Sequence, residues 1–214
     1  MNTDALTSLR TYWDSLRNGR IAPFRAELDP RKFEDALEHM FILEQLSPSQ
    51  VRVRLAGMAL CEMMGMEVRG MPPEAFIAAD HRDSFGKHLR DVLDGPAVVE
   101  LDLMAGDAAG GSVPAQMLLL PLRSDFGEVT RILGCVITHG ENVRAPVNFS
   151  IIGHRKTQIT PSVSDHAHGE ISGFADAPAS FTPAAETPLK AVVDNPDVAA
   201  SAPRRGHLKV VTRD

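Results

Sequence analysis

The chain has 214 residues and a net charge of −6, and 43% of its residues are apolar. This length predicts one domain with appendages, and the apolar content is sufficient for one hydrophobic core. The negative charge argues against a nucleic-acid-binding surface, because phosphate contacts need clustered Lys and Arg. No apolar run approaches the ~20 residues of a membrane-spanning helix, and the N-terminus lacks the pattern of a secretory signal. We therefore expect a cytoplasmic protein without a membrane span.

Residues 1–39 are predicted to form an N-terminal helical extension. From Thr3 to Leu16 the apolar residues recur at steps of three and four, which places them on one stripe of a helix: Leu6, Leu9, Trp13 and Leu16. This stripe must be buried against another surface, either the domain's own sheet or the same helix of a second chain. We expect a homodimer that forms through this helix and the outer face of the sheet.

Residues 40–140 have the pattern of an α+β domain. Apolar runs between turn residues predict five strands: Met40–Leu46, Gln50–Leu55, Val98–Met104, Val113–Leu122 and Val129–His139. A short helix, Met58–Met64, follows the second strand and ends at Gly65, which can adopt the left-handed conformation of a helix C-terminus. Asp80 is expected to cap a longer helix, His81–Leu93, before the third strand.

Beyond Gly140 the composition changes. Residues 141–160 are predicted to be an extension or linker, with Val147–Ile152 as one more short strand. Residues 161–214 are predicted to be disordered, since the stretch up to Pro203 contains six Pro and ten Ala and has no long apolar periodicity. The short apolar sequence His207–Val211 is either a docking peptide or without function.

Six short motifs follow one another in the first two thirds of the chain. They are Tyr12-Trp13-x-x-Leu16-Arg17-x-Gly19-Arg20, Asp29-Pro30, Phe41-Ile42-Leu43-Glu44, Arg54-Leu55-Ala56-Gly57, Gly65-Met66-Glu67-Val68-Arg69-Gly70 and Leu120-Pro121-Leu122-Arg123. This ordered series resembles a bacterial family whose members consist almost entirely of one PAS domain. The resemblance covers Thr11 to Gly140, and it implies a five-stranded antiparallel sheet with helices across one face.

Such a sheet can enclose a cavity against its helices. The strand side of the candidate ligand pocket would consist of Val53, Leu55, Leu101, Leu103, Met117, Leu119, Cys135 and Ile137. The helix side would consist of Met58, Cys61, Met64, Phe76, Phe85 and Leu89. Five of the nine Met residues fall between positions 58 and 71, and flexible Met side chains suit a pocket that adapts to an apolar ligand. Met also fills gaps in a core with few aromatic residues, and we favour this simpler interpretation.

The remaining His and Cys residues give weaker signals. His81 and His88 lie seven residues apart on the predicted long helix without a third ligand at a suitable spacing, so we expect exposed helical histidines and no metal site. Asp165-His166-Ala167-His168 is interpreted as incidental in a disordered tail. Cys61 and Cys135 lie in apolar runs, which favours buried free thiols over a disulfide. The sequence around Cys61 does not match the Asn-Cys-Arg-Phe-Leu-Gln signature of light-sensing PAS relatives, so no photosensor is expected.

The function expected from these residues is a non-enzymatic cytoplasmic regulatory module that acts through protein–protein contacts, with an unidentified signalling protein as its partner. No Ser-His-Asp or Cys-His arrangement and no suggestive carboxylate pair is recognised. One alternative is a sensor whose pocket holds haem, flavin or a fatty-acid-like molecule. Another is a small enzyme on a cone-shaped α+β fold, although the only Tyr, Tyr12, lies outside the core region. The sequence identifies no cofactor.

Overall fold

A computed structural model describes residues 3–140 and 144–162 of the chain. In these ranges the helices are α1 (Thr3–Arg17), α2 (Glu34–Leu37), α3 (Met58–Met64) and α4 (Arg82–Leu93). The strands are β1 (Met40–Ser47), β2 (Gln50–Ala56), β3 (Ala97–Asp107), β4 (Ser112–Arg123), β5 (Val129–Thr138) and β6 (Val147–Gln158). They form one antiparallel sheet in the order β2-β1-β5-β4-β3-β6. The predicted α+β class, with β1 to β5 as its antiparallel strands, is confirmed.

A sixth strand extends the sheet beyond the five that were predicted. β6 pairs with the whole of β3, from Ala97 opposite Gln158 to Asp107 opposite Val147. The prediction of Val147–Ile152 was too short, because the second half of β6 is polar and exposed and therefore shows no apolar alternation in the sequence. Residues 163–214, on which the predictions of a disordered tail and of a docking peptide fall, lie outside the described residues.

The sheet is covered on both faces. Neighbouring residues along a strand point to opposite faces, so each strand contributes alternate side chains to two separate clusters. The first cluster, here called the inner core, lies between the sheet and the segment from α3 to α4, and it contains Met117 and Leu119 of β4. The second cluster, the outer core, lies between the opposite face and α1, and it contains Leu118 and Leu120. Burial on both faces explains why β4 has a continuous apolar run.

α1 docks on the sheet of its own chain. Leu9 and Trp13 are buried in the outer core, and the indole N–H of Trp13, which is 2% exposed, donates a hydrogen bond to the carbonyl oxygen of Pro121 at 2.9 Å. Leu6 and Leu16 are half-buried. The predicted dimer interface of Leu6, Leu9, Trp13 and Leu16 is therefore corrected, because the two largest contacts of the stripe are made within the chain.

The connector between α1 and α2 is held by residues of the N-terminal motifs. The hydroxyl oxygen of Tyr12 accepts a hydrogen bond from the backbone N–H of Asp29 at 2.7 Å. The Arg20 guanidinium donates to both carboxylate oxygens of Glu27, at 2.8 and 2.9 Å, and one of these oxygens also accepts from the backbone N–H of Phe24 at 2.7 Å. These motif residues therefore fix the path of the chain between the helix and the sheet.

Two glycines stand where a residue with a side chain would clash or be strained. Gly134 in β5 lies opposite Phe41 in β1, and a Cβ at this glycine would lie 2.0 Å from a ring carbon of Phe41. Gly65 has a φ of 69° and ends α3 in the left-handed conformation, as predicted.

The predicted cap of α4 by Asp80 is wrong. Asp80 lies within a short 3-10 helix, Ala79–His81, and the N-terminus of α4 has no side-chain cap.

In the described ranges no helix combines the length and the apolar character needed to cross a bilayer.

Candidate functional site

The structure brings most of the candidate pocket residues together in the inner core. Those that pack there, each at most 7% exposed, are Val53, Met64, Phe76, Phe85, Leu89, Leu101, Leu103, Met117 and Leu119. Cys61 is half-buried at the border of this cluster. Three large side chains that the sequence did not assign to the pocket, Phe41, Ile77 and Phe149, also lie in it. Whether this core accepts a ligand stays a prediction.

Four candidate pocket residues lie elsewhere. Leu55 is 45% exposed, because an irregularity in the β1–β2 register places it opposite Ile42, on the outer face of the sheet. Met58 begins α3 and is 69% exposed. Cys135 and Ile137 are buried in the outer core. The alternation of β5 could not reveal this, since apolar residues occupy both of its faces.

Cys61 and Cys135 are free thiols, as predicted, but only Cys135 is buried, so the predicted burial is wrong for Cys61. Burial raises the pKa of Cys135 to about 12, so this thiol stays protonated at neutral pH. The Cys61 sulfur lies 3.9 Å from a carboxylate oxygen of Glu67. In residues 3–140 and 144–162 no group of three His, Cys, Asp or Glu side chains is arranged to hold a metal ion. Asp165-His166-Ala167-His168 lies outside these ranges.

A polar groove of about 620 Å³ runs between α1 and the outer faces of β3, β4 and β6. Glu100 at its floor forms ion pairs with Arg10 of α1 and with Arg155 of β6, the latter at 3.1 Å. Arg17 pairs with Asp14 at 3.0 Å along the groove wall. Opposite charges thus pair along the groove, and the Arg10–Glu100 pair joins α1 to the sheet.

His88 and His154 meet at the contact between α4 and β6. The ring centroids are 4.8 Å apart, and His88 is buried to 6% exposure, so the prediction of exposed helical histidines is wrong for His88. His88 lies three residues after Phe85 and one before Leu89, on the side of α4 that faces the sheet. Burial, and then the nearby charge of His154, lower the pKa of His88, while Asp91 acts in the opposite direction.

An apolar patch is exposed around the junction of β2 and α3. Leu37, Leu55 and Met58, here called the β2 patch, are 38, 45 and 69% exposed. Leu55 and Met58 flank Gly57 along the chain, and Gly57 lies so close to the end of α2 that a Cβ would be 2.2 Å from the carbonyl oxygen of Glu38. The sequence did not predict this patch, because Leu55 and Met58 were assigned to the pocket.

Charges of both signs border the β2 patch. Glu44 of β1 is two residues from Ile42, the partner of Leu55, and therefore lies on the same face of the sheet. Its carboxylate contacts Arg131 at 3.2 Å and Arg52 at 3.8 Å. The patch therefore has an apolar centre and a rim that carries both acidic and basic groups.

A family model described as "PAS domain" matches residues 1–137 of the chain. No curated protein matches the chain. Among solved structures, a light-oxygen-voltage domain studied with a flavin analogue is 17% identical, with 52% of this chain and 84% of that chain covered and a TM-score of 0.41. The light state of the blue-light photoreceptor Aureochrome1 LOV is 13% identical, with coverages of 50% and 86% and a TM-score of 0.40.

The LOV protein of Rhodobacter sphaeroides is 18% identical, with 54% of this chain and 70% of that chain covered and a TM-score of 0.40. At these identities each likeness concerns the fold alone.

Proposed function

The chain belongs to the PAS-domain family, and from this premise we propose that it is a cytoplasmic, non-enzymatic regulatory module that acts through protein–protein contacts. The first of these contacts is with a second copy of the chain, across the β2 patch. This replaces the α1 interface expected from the sequence, since Leu9 and Trp13 are buried within one chain.

The observation that carries the proposal is the composition of the β2 patch. Leu55 and Met58 expose apolar surface that folding leaves in water, and such surface is favourable to bury against a partner. A twofold interface must be complementary to itself, because each copy presents the same residues. The rim carries both charge signs that such pairing needs, since Glu44 contacts Arg52 and Arg131 within one chain and the same groups can pair across a twofold axis.

Light scattering of purified protein tests the proposal. We expect the mass of a dimer for the wild type and the mass of a monomer for Leu55→Glu, because a carboxylate at the centre of the interface would be buried without a partner. Phe126→Glu is the matched control, since Phe126 is 92% exposed in the turn between β4 and β5 and is not one of the patch residues. A monomeric wild type, or a dimeric Leu55→Glu variant, would remove the proposed interface.

A second candidate function is the binding of a small apolar ligand in the inner core. It is favoured by three Met side chains, since Met adapts its shape more readily than branched side chains: Met64 is buried in this core, and Met63 and Met71 pack against it half-buried. Native mass spectrometry of the purified protein tests it, and an absorbance spectrum would identify haem or flavin. A mass equal to that of the polypeptide alone would count against this candidate while leaving the dimer proposal intact.

A further inference from the structure

The contact between α4 and β6 brings together ionisable groups that neither proposed function uses. In the β3–β6 register His154 lies opposite Leu101 and Lys156 lies opposite Val99. Leu101 and Val99 belong to the inner core, so His154 and Lys156 lie on the face of β6 that is turned toward α4. His88 and Asp91 of α4 meet them there.

The buried ring of His88 has an incomplete set of hydrogen bonds. Its Nδ1 atom is fully buried and has no hydrogen-bond partner. The nearest acidic oxygen, on Asp91, is 3.8 Å away, and the other oxygen of that carboxylate accepts from the Lys156 ammonium at 2.8 Å. The ionisable groups that face His88 are therefore Asp91 from its own helix and His154 and Lys156 from β6.

We propose that His88 and His154, together with Asp91 and Lys156, form a proton-responsive latch between α4 and β6. With the His88 ring neutral, the two rings pack against each other while the Lys156–Asp91 ion pair closes the contact. A proton on His88 places a positive charge beside the Lys156 ammonium and the His154 ring, and like charges at this distance repel. Acidification therefore weakens the contact of α4 with β6.

The direction of the pH dependence follows from His88. Its pKa is lowered in the folded protein, so the unfolded chain binds more protons as the pH falls. The contribution of His88 to stability is complete well above the unfolded-state pKa of 6.5 and is lost as the pH falls below it. The fall in the folding equilibrium constant that His88 alone can cause between pH 7.5 and pH 5.5 has an upper limit of about tenfold, set by the unfolded-state pKa of 6.5.

Urea denaturation of the full chain at pH 7.5 and pH 5.5 tests the latch. For each variant, the quantity compared is the difference in the free energy of unfolding between the two pH values. We expect the wild type to lose more stability than His88→Phe, by up to about tenfold in the equilibrium constant. His154→Gln removes the neighbouring charge from the strand and should reduce the loss by a smaller factor. A variant that is less stable at both pH values still answers the question, because only the difference between them is compared.

His81→Gln is the matched control, because His81 precedes α4 and lies outside the His88 cluster. It should show the same pH-dependent loss as the wild type. Amide hydrogen exchange, corrected for its intrinsic pH dependence, provides a local measurement: α4 and β6 should lose protection at pH 5.5 in the wild type and lose less of it in His154→Gln. The latch is refuted if His88→Phe and His154→Gln lose as much stability as the wild type.

Discussion

Replacing Trp13 by Ala removes the main attachment of α1 to the sheet. The Trp13 side chain is 2% exposed, and a buried Trp removes roughly 150–250 Å² from water. At about 25 cal/mol per Å² this burial corresponds to an upper limit of roughly 4–6 kcal/mol. The change also leaves the Pro121 carbonyl oxygen without its donor. We expect Trp13→Ala to lower the free energy of unfolding by about 3–5 kcal/mol, the range typical of buried aromatic residues.

The same variant distinguishes docking within the chain from docking between chains. Because the contacts of Trp13 lie within one chain, the difference in stability between wild type and variant should not change with protein concentration. If Trp13 held two chains together, a hundredfold dilution would change that difference by about 2.7 kcal/mol. Dimerisation through the β2 patch would make the stability of both proteins depend on concentration in the same way. The difference in stability between wild type and Trp13→Ala would therefore still report on Trp13 alone.

Urea denaturation followed by far-UV circular dichroism, at two protein concentrations a hundredfold apart, is the appropriate assay. Leu6→Ala on the same stripe is the control, and we expect a loss of about 1 kcal/mol because Leu6 is only half-buried. A loss below about 1 kcal/mol for Trp13→Ala, or a difference that changes with dilution, would refute the assignment of α1 to its own sheet.

Further substitutions test the packing of the sheet and the state of the thiols. Gly134→Ala should lower the free energy of unfolding by about 1–3 kcal/mol, because the new Cβ would overlap the ring of Phe41. Gly86→Ala, in the open middle of α4, should raise it by about 0.5–1 kcal/mol, and denaturation curves of both variants give the comparison. In the native protein a thiol-specific reagent at mildly alkaline pH should modify Cys61 and not Cys135, whose pKa is raised to about 12. Modification of two thiols per native chain would contradict the burial of Cys135.

The sequence was a reliable guide wherever a local pattern has a single interpretation. The alternation of Val51 and Val53 with Arg52, and the glycine at position 65, predicted a strand and a helix end that the structure contains. The polar second half of β6 had no such pattern, since its residues are held by pairing with β3 and not by burial of their own side chains.

Local sequence patterns could not show which face of the sheet each side chain occupies. β5 is apolar on both faces, so its sequence alone could not place Cys135 with α1 and Val136 with α4. A register irregularity between β1 and β2 moved Leu55 from the expected pocket to the outer face. One shift of register changes the face of the residues that follow, and only the pairing of the two strands reveals it.

By itself the sequence determined the helices and strands that carry an apolar pattern of their own, since periodicity and turn residues act over a few neighbouring residues. Only the tertiary structure decided what those segments bury. The apolar stripe of α1 would remove the same surface from water whether it packed on its own sheet or on a second chain. The contact of His88 with His154 depends on the pairing of β3 with β6, which are distant in sequence. Hydrophobic burial has no direction, so the choice of partner surface belongs to the assembled fold.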